Sequence, residues 1–372
     1  MKILYISHLH PPKDAVLKNI GGMQRVSLQL TSELSLNPEI ELEEITMETG
    51  WRFIGVKTFF FLLSLYIGLP RKVKKMQPDL ILFSSMVTGT LGHFLRRRIS
   101  IPMISISHGH DVTLSVGIYQ WLLKKVFIGL DGVISVSQAT RDECLSRGLA
   151  PEKSQVLPNG FDIRDLPEAV DKPLARKQLE QALGLKLGSR KVLLTVGRLI
   201  RRKGHAWFIR EILPQVKSDV LYIIIGDGAE AAGIRQAIQE TGQQHKVFFN
   251  GRQEDDVLKI AYSAADLFIM PNIRVPGDME GFGVVLLEAN IRCTPAVASD
   301  IEGIRDVIEQ GVNGYRIAEN DAKDFAATID RVLENELDAL SRKSRNHVKS
   351  RFSWEAVSKA YILYLTKFVY KK

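Results

Sequence analysis

The segment Glu280–Glu288 carries two carboxylates around a loop with two glycines, a combination suited to a hydroxyl-rich anion. Gly281 and Gly283 let backbone N–H groups approach a ligand closely, because a Cβ atom would obstruct that approach. The apolar run from Val284 predicts the start of a helix, whose N-terminus favours an anion such as a diphosphate. Carboxylates accept hydrogen bonds from hydroxyl groups, in which sugars and ribose are rich. The segment therefore suits a sugar that is attached to a nucleoside diphosphate.

A second candidate is the basic turn Gly197–Gly204, which follows a predicted strand. Arg198 and Lys203 stand where a loop is expected to meet a helix. An arginine can bind a phosphate through two parallel hydrogen bonds, and a lysine adds a compact charge. Each charge-assisted hydrogen bond contributes about 1.5–3 kcal/mol. The alternative is a solvated basic turn, and we prefer that interpretation for Arg201 and Arg202.

Two more turns after predicted strands carry glycine and could line the same ligand. Gly226-Asp227-Gly228 follows one strand, and Gly251-Arg252 follows the next. The glycines of the first turn need only satisfy the turn itself, so the specificity of this signal is modest. We place Arg252 near the nucleobase of the ligand.

A glycine pair, Gly21 and Gly22, precedes the helical run Val26–Leu36. Glycines at a helix start can expose N–H groups to a phosphate, although a plain turn explains them equally well. The pair is not the G-x-G-x-x-G fingerprint, which argues against an ordinary nicotinamide site.

The segment Ser107–Asp111 places His108 and His110 directly after a predicted strand. The carboxyl ends of strands are where open α/β sheets bind ligands. Two histidines at this spacing can bind a metal, but no third ligand is apparent, and a loop without chemistry is a further alternative. We favour a neutral imidazole of His108 that hydrogen-bonds a sugar hydroxyl.

The elements that position these residues alternate between short apolar runs and amphipathic segments of helix length. Such a pattern is typical of parallel sheets covered on both faces by helices, and two sets of runs predict two doubly wound α/β domains. We place the domains at residues 1–165 and 166–353, and residues 354–370 predict a final amphipathic helix. The predicted strands are Lys2–Ser7, Leu80–Ser84, Met103–Ser107, Gly132–Val136, Lys191–Val196, Val220–Ile225, Val247–Phe249, Leu267–Met270 and Pro295–Ala298.

The composition is ordinary for a globular protein, with 45% apolar and 25% charged residues in 372. The net charge of +8 indicates a polyanionic partner, which could be nucleic acid, an anionic lipid or a phosphorylated ligand. Nucleic acid is not expected, because the chain lacks the aromatic and basic signatures of the common RNA-binding modules. Cys144 and Cys293 fit a reducing compartment and exclude a disulfide scaffold or a cysteine-based zinc site. Met1–Ser7 predicts a strand rather than a signal peptide, because its apolar run is too short.

Phe53–Leu69 is the most apolar segment of the chain, and we expect it to end at Pro70. A spanning helix needs ~20 apolar residues, so transmembrane insertion is not favoured. Basic residues follow at Arg71, Lys72, Lys74, Lys75 and Arg96–Arg98. Each would attract an anionic bilayer by ~1 kcal/mol, so the segment predicts peripheral contact with an anionic membrane surface. The alternative is a buried helix followed by a solvated charged turn.

Taken together, these segments resemble the family 4 glycosyltransferases of the GT-B fold over nearly the whole chain. The motifs that carry the resemblance are Gly197-Arg198-Leu199 with Lys203-Gly204, Gly226-Asp227-Gly228, and the pair Glu280 and Glu288. Pro158–Asp162 is similar to the family's interdomain segment, and Phe352–Trp354 is similar to the start of its final helix. The resemblance implies an acceptor-binding domain and a nucleotide-sugar-binding domain, both Rossmann-like and facing each other across a cleft. It also implies that residues 354–372 return to the N-terminal domain.

The resemblance also implies a role for each candidate residue. Arg198 and Lys203 would hold the diphosphate and stabilise its charge as the bond to the sugar breaks. Glu280 would bind hydroxyls of the donor sugar, and Glu288 would bind the ribose. Backbone and turn contacts to the donor would come from Gly281, Phe282, Gly283 and Val284, and from Gly226, Asp227, Gly228 and Arg252. Gly22, beside Gly21, would meet the phosphate or the acceptor, and His108 would contact the donor sugar near the reacting carbon.

A retaining, front-face substitution is the mechanism that the family implies, with the leaving phosphate helping to deprotonate the acceptor. The chain lacks an Asp-x-Asp motif, so we expect no cofactor and no essential metal. The segment His108–Asp111 is similar to the phosphatidylinositol mannosyltransferase branch, which favours GDP-mannose as the donor. Arg292, Cys293 and Glu302 depart from the small residues and glycine that the family often has at these places. These departures affect the expected recognition of the donor sugar and leave the expected fold unchanged.

The preferred hypothesis is a cytoplasmic, peripherally membrane-associated glycosyltransferase that acts on a glycan or lipid-linked acceptor. Two alternatives remain open. One is a sugar-nucleotide epimerase or a phosphorylase on the same fold. The other is a non-catalytic protein that binds a sugar nucleotide. The presence of Arg198, Lys203, Glu280 and Glu288 argues against it. The sequence does not decide the donor base, the donor sugar, the acceptor or the oligomeric state.

Overall fold

The chain forms two compact units in the computed structural model, which describes residues 1–10, 22–48, 54–114, 116–164, 166 and 171–370. Unit 1 comprises Met1–Asp162, Gly277–Phe282 and Phe352–Lys372, and unit 2 comprises Ile163–Pro276 and Gly283–Arg351. Residues 277–282 thus belong to unit 1, although the sequence boundaries assigned them to the second domain.

Unit 1 is built on a six-stranded parallel sheet with the strand order β2-β1-β3-β4-β5-β6. Its central strands are buried along their length, as expected for a sheet covered on both faces. The strands are β1 (Lys2–His10), β2 (Glu41–Glu48), β3 (Leu80–Phe83), β4 (Met103–Ser107), β5 (Gly132–Ser135) and β6 (Ser154–Val156). The helices between them are α1 (Gly22–Leu36), α2 (Ile54–Met76), α3 (Met86–Leu95), α4 (His110–Thr113), α5 (Gly117–Gly129) and α6 (Gln138–Ser146).

Unit 2 repeats this architecture with a second six-stranded parallel sheet, in the order β12-β11-β10-β7-β8-β9. The strands are β7 (Lys191–Val196), β8 (Val220–Ile225), β9 (Val247–Phe249), β10 (Leu267–Met270), β11 (Ala296–Ser299) and β12 (Gly314–Ile317). The helices are α7 (Lys172–Leu183), α8 (His205–Trp207), α9 (Ala231–Glu240), α10 (Asp255–Ala264), α11 (Val284–Asn290), α12 (Ile304–Val307), α13 (Ala322–Arg331) and α14 (Leu337–Arg351). The predicted α/β class with two parallel sheets is confirmed.

The final helix, α15 (Trp354–Val369), belongs to unit 1 and confirms the predicted amphipathic helix. Ser353 caps its N-terminus by accepting a hydrogen bond from the N–H of Ala356 at 3.3 Å. Trp354 is buried, and its indole Nε1 donates to Oε1 of Gln29 at 2.9 Å. A Cβ on Gly160 would overlap the Trp354 ring, so this residue must be glycine for the ring to pack there.

Three strands that the sequence analysis missed, β2, β6 and β12, all lie at the edges of the sheets. An edge strand is covered on fewer sides, so it does not need a continuous apolar run. In β2, Glu41 and Glu43 each accept from Nζ of Lys2 at 2.8 Å on the neighbouring strand. Because of these acidic side chains, β2 lacks the apolar run from which a strand would be predicted.

The helix α2 does not end at Pro70, as predicted, but continues through it to Met76. Proline lacks the N–H that would bond the carbonyl of Tyr66, four residues earlier. Arg98 replaces that donor, because its Nη1 donates to the Tyr66 carbonyl at 3.0 Å. The Arg98 guanidinium also lies 5.5 Å from the centre of the Tyr66 ring. A side chain 28 positions further along the chain therefore lets the helix pass the proline.

Cys293, one of the departures from the family pattern, adopts a left-handed backbone conformation with φ +62°. Replacing it by glycine is expected to raise the free energy of unfolding by about 0.5–1 kcal/mol. A left-handed conformation costs a non-glycine residue about 1–2 kcal/mol, and the freedom of glycine in the unfolded chain offsets part of the gain. Urea unfolding would measure the change. Cys293→Ala keeps the Cβ atom and serves as the control, and an equal gain in that variant would contradict the explanation.

Candidate active site

The carboxylate of Asp111 is the structural centre of the candidate site in unit 1. It is 5% exposed and lies in α4, just beyond the carboxyl end of β4. Its Oδ1 accepts the backbone N–H of His108 at 2.9 Å and lies 3.4 Å from Oγ of Ser107. Its Oδ2 accepts the backbone N–H of Met86, at the start of α3, at 2.9 Å. One buried side chain thus joins the His108 loop to the N-terminus of a neighbouring helix.

The imidazole of His108 has a defined tautomer. Its Nε2 lies 2.9 Å from the carbonyl oxygen of Ser84, at the end of β3. A carbonyl oxygen only accepts hydrogen bonds, so Nε2 carries a hydrogen, and in the neutral form of the ring Nδ1 is then the acceptor. An acceptor atom at Nδ1 would fit the predicted contact with a sugar hydroxyl.

Residues 277–282 pack against the His108 loop within unit 1. A Cβ on Gly281 would overlap the carbonyl oxygen of His108, so only glycine allows this close approach. Oγ1 of Thr140 donates to the carbonyl of Gly281 at 3.4 Å, and Glu280 beside it is 9% exposed. The structure therefore brings His108, Glu280, Gly281 and Phe282 into one unit, and it adds Thr140, which the sequence analysis missed.

His8, at the end of β1, is a further residue that the sequence analysis did not select. It is 6% exposed, and its Nδ1 lies 3.5 Å from Oγ of Ser85. Burial, together with the nearby His108, lowers the pKa of His8 to about 4. The ring is therefore neutral near pH 7, and no positive charge enters the unit 1 site from this residue.

In unit 2 the turns after three neighbouring strands are joined by backbone hydrogen bonds. The N–H of Gly197 donates to Ile225 at 3.0 Å, and the N–H of Leu199 donates to Asp227 at 2.9 Å. The N–H of Gly226 donates to the Gly251 carbonyl at 2.9 Å. These bonds bring the predicted donor-binding turns together at one edge of the sheet. The edge carries Arg198, Gly226, Asp227, Gly228 and Arg252.

The basic turn after β7 separates its arginines in a way that the sequence did not predict. Arg198 and Arg201 are exposed, whereas Arg202 is 4% exposed, so its interpretation as a solvated surface charge is wrong. The Arg202 carbonyl accepts the N–H of Ile273 at 2.9 Å. This backbone hydrogen bond joins the turn to the segment after β10. Lys203 lies in the same turn and is partly buried.

Glu288 and the helix that carries it follow β10 in unit 2. The helix α11 begins at Val284, as predicted, after Gly283 with φ +87°. Oε2 of Glu288 accepts a hydrogen bond from the hydroxyl of Tyr262 at 2.7 Å. Tyr262 lies in α10 and orients the carboxylate. No local pattern signals this pair, because 26 positions separate the two residues.

The structure brings His108 together with residues 280–282 in unit 1, and the turns of Arg198, Gly226–Gly228 and Arg252 together in unit 2. Gly22 is the first residue of α1 and is exposed, and Gly21 lies outside the described residues. The parts of the chain that the structure describes contain no cluster of three or more His, Cys, Asp or Glu side chains that could hold a metal ion. The functional roles of the site residues remain predictions.

His205, in α8, gives unit 2 a predicted dependence of stability on pH. It is 2% exposed, and burial, together with Lys203, lowers its pKa to about 3. Below the ordinary value of 6.5 the unfolded chain binds a proton that the folded chain does not. The contribution of His205 is therefore complete above pH 6.5 and is lost as the pH falls towards 3. We expect a loss of about 2 kcal/mol at about pH 5.

Urea unfolding at neutral and acidic pH would measure this loss. His205→Gln removes the titrating group and should flatten the pH dependence, whatever its effect on the absolute stability. An unchanged slope in that variant would assign the acid sensitivity to other groups.

Comparison with known proteins identifies the class. The family model Glycosyltransferase Family 4 matches residues 30–165, and the family model Glycosyl transferases group 1 matches residues 177–351. Anabaena Alr3699/HepE, solved in complex with UDP, superimposes with a TM-score of 0.73 at 20% identity over 99% of this chain and 100% of its own. The chain is a glycosyltransferase with the GT-B fold, an enzyme that uses a sugar nucleotide as donor. It belongs to the family 4 glycosyltransferases.

Two relatives of similar identity to this chain differ in the donor that their names specify. UDP-Gal:alpha-D-GlcNAc-diphosphoundecaprenol alpha-1,3-galactosyltransferase of Escherichia coli is 26% identical over 90% of each chain. GDP-mannose-dependent alpha-(1-6)-phosphatidylinositol monomannoside mannosyltransferase of Mycolicibacterium smegmatis is 27% identical over 89% of each chain. Their names specify different bases and different sugars.

Proposed function

We propose that this chain is a retaining hexosyltransferase that moves a sugar, with mannose favoured, from a nucleoside diphosphate to a glycan or lipid-linked acceptor. The observation that carries the proposal is the edge of unit 2, where three hydrogen-bonded turns hold Arg198 beside the glycines of Gly226–Gly228. Exposed backbone and an unburied guanidinium at the carboxyl ends of parallel strands suit a diphosphate. The two named relatives act on lipid-linked substrates, which supports such an acceptor.

Each polar group receives a specific task in this proposal. Arg198 and Lys203 hold the diphosphate and stabilise the charge that it gains as the bond to the sugar breaks. Glu288, oriented by Tyr262, accepts hydrogen bonds from the ribose. Glu280 binds hydroxyls of the sugar, and Nδ1 of His108 accepts another. The leaving phosphate takes the acceptor proton in a front-face substitution, so the chain supplies position and charge, without a metal or another cofactor.

We also propose that the enzyme works at the cytoplasmic face of a membrane, to which unit 1 binds peripherally. Among the helices that the structure describes, α2 alone is long and apolar enough to cross a bilayer. Of its most apolar 18 residues, 17% are buried. Its inner residues Leu65 and Leu69 pack in the core of unit 1, which favours binding along the surface. On α5, Ile118 and Trp121 are 77% and 61% exposed.

Binding to the membrane would be measured by flotation with vesicles. Binding should require anionic lipid and should weaken as salt is added, because salt screens exposed charges. Absence of binding to anionic vesicles at low salt would contradict the peripheral location.

Donor identity would be tested by thermal shift with GDP-, UDP- and ADP-sugars. A ligand at 100 times its dissociation constant stabilises the folded state by ~2.7 kcal/mol, so the correct base should stand out. Transfer assays with the stabilising donor would then compare mannose with other hexoses. Epimerisation of the donor without an acceptor, or a pyridoxal-phosphate spectrum, would support the epimerase or phosphorylase alternative instead.

Glu280 provides the test of the sugar site. Glu280→Ala should lower turnover and leave binding of the free nucleoside diphosphate nearly unchanged, because the side chain is assigned to the sugar alone. Unchanged turnover in a variant of normal thermal stability would remove this assignment.

A further inference from the structure

A cavity of about 780 Å³ lies in unit 1, away from the turns that form the candidate active site. It sits at the C-terminal end of α2 and is closed on one side by Phe368 and Val369 near the end of α15. Its volume falls within the range of about 300–1,000 Å³ that is usual for small-molecule sites. None of the predicted donor or catalytic residues lines it, so the proposed sugar transfer does not account for it.

Three cations line this cavity: Arg71 and Lys74 from α2, and Arg98 from the segment after α3. Arg98 is fixed in place, because its guanidinium donates to the Tyr66 carbonyl at 3.0 Å. Arg71 and Lys74 are exposed, and neither forms an ion pair with any residue that the structure describes. Their charges are therefore available to a ligand.

Two features of the cavity oppose an anion. Asp79 also lines it, but Oδ2 of this carboxylate already accepts the backbone N–H of Lys2 at 2.6 Å. The C-terminus of α2 adds about half a negative charge through its aligned peptide dipoles. The three positive charges outweigh the Asp79 carboxylate and the helix dipole together, so the cavity keeps a net positive charge.

The position of the cations along α2 indicates what presents the anion. Val56, Phe60, Leu63 and Ile67 are 62%, 61%, 45% and 59% exposed. Residues spaced three and four apart share one helix face, and this spacing continues to Arg71 and Lys74. A single exposed stripe is thus apolar for most of its length and cationic in its last turns. A helix lying in the surface of a bilayer buries such an apolar stripe and keeps its cations at the level of the headgroups.

We propose that this cavity binds a phosphate group, presented by the headgroup of an anionic phospholipid. Arg98 offers a fixed guanidinium, Arg71 and Lys74 close around the phosphate, and the apolar stripe lies against the acyl chains. The proposal rests on the membrane association put forward above. It is independent of the identity of the donor and of any catalytic role.

The test compares two double variants of the full chain that change the same charge on the same helix end. Arg71→Gln with Lys74→Gln removes the two α2 cations of the cavity. Lys72→Gln with Lys75→Gln removes two exposed cations that do not line it. Binding is measured by flotation with phosphatidylcholine vesicles that contain phosphatidylglycerol. Diffuse attraction is worth about fivefold per basic residue and acts over a Debye length of about 10 Å, which is about the width of a helix. It would therefore weaken each double variant by about 25-fold, whichever face of α2 the two cations occupy.

A phosphate held in the cavity predicts a further loss of at least about tenfold for the Arg71 and Lys74 variant, because charge-assisted hydrogen bonds disappear as well. Equal losses would overturn the proposal. Inorganic phosphate, and separately glycerol phosphate, would be tested by thermal shift with both variants. Free phosphate could stabilise the unchanged protein but not the Arg71 and Lys74 variant, while flotation shows equal losses for both variants. That combination would overturn the proposal that a lipid headgroup supplies the phosphate. Neither measurement involves sugar transfer, so a failed donor assignment would not affect the result.

Discussion

Replacing Arg198 by glutamine is expected to lower kcat/KM for sugar transfer by about 10²–10³-fold. The diphosphate gains negative charge as its bond to the sugar breaks, so a guanidinium bound to that diphosphate stabilises the transition state more than the ground state. Removing one such preorganised donor typically lowers kcat by about 10²–10³-fold. The turn that carries Arg198 is held by the bond from Leu199 N–H to the Asp227 carbonyl, so glutamine should leave the turn in place.

The measurement is steady-state kinetics with the donor identified by thermal shift, together with the melting temperature of each variant. Arg201→Gln is the matched control, since Arg201 lies in the same basic turn, is exposed and carries the same charge. We expect that control to change kcat/KM by no more than a few-fold, as for a screened surface charge. Equal losses in the two variants would mean that the turn attracts the donor only through its total charge.

Replacing Asp111 by alanine is expected to lower the free energy of unfolding by about 3–5 kcal/mol. The substitution leaves the buried N–H of Met86 and the partly buried N–H of His108 without an acceptor, and each orphaned donor costs about 1–3 kcal/mol. It also removes a negative charge from the N-terminus of α3, where the helix dipole favours one. Asp111→Asn should cost less, because its remaining oxygen can still accept one of the two backbone hydrogen bonds.

Urea unfolding of the two Asp111 variants would measure these losses. Asp142→Ala is the control, because Asp142 is exposed and accepts only from Nε2 of Gln138, at 2.7 Å, in the structure as described. A loss below 1 kcal/mol for Asp111→Ala would show that water replaces the carboxylate, and the site in unit 1 would then lack the rigid support proposed for His108.

The central strands of both sheets could be predicted because each is buried on both faces and must be apolar along its length. The same reasoning failed at β2, which alternates glutamates with apolar residues and is held by Lys2. Local patterns also failed at Pro70, where the helix continues because Arg98 supplies the missing donor. The charge of Arg202 predicts a surface position, whereas its side chain is buried and its carbonyl bonds the segment after β10.

The candidate site also contains residues that local motifs predict and residues that they do not. Glycine turns after apolar strands identified Arg198, the Gly226–Gly228 turn and the Glu280–Glu288 segment, because the chemistry and the turn are encoded within a few adjacent residues. Asp111 could not be identified from its motif, because its role depends on the N–H of Met86, 25 positions earlier. Tyr262 carried no local signal, since an isolated tyrosine on an amphipathic helix is usually part of the core.

The class of fold, the family and the residue types available to bind a sugar nucleotide can all be predicted from the amino-acid sequence. These follow from short segments whose periodicity and turn chemistry act locally. Which turns are hydrogen-bonded to one another, and which carboxylate supports His108, becomes visible only in the folded chain. It also showed that residues 277–282 pack in unit 1. Such pairings join residues far apart in the chain, and they depend on the packing of whole elements, which no local pattern encodes.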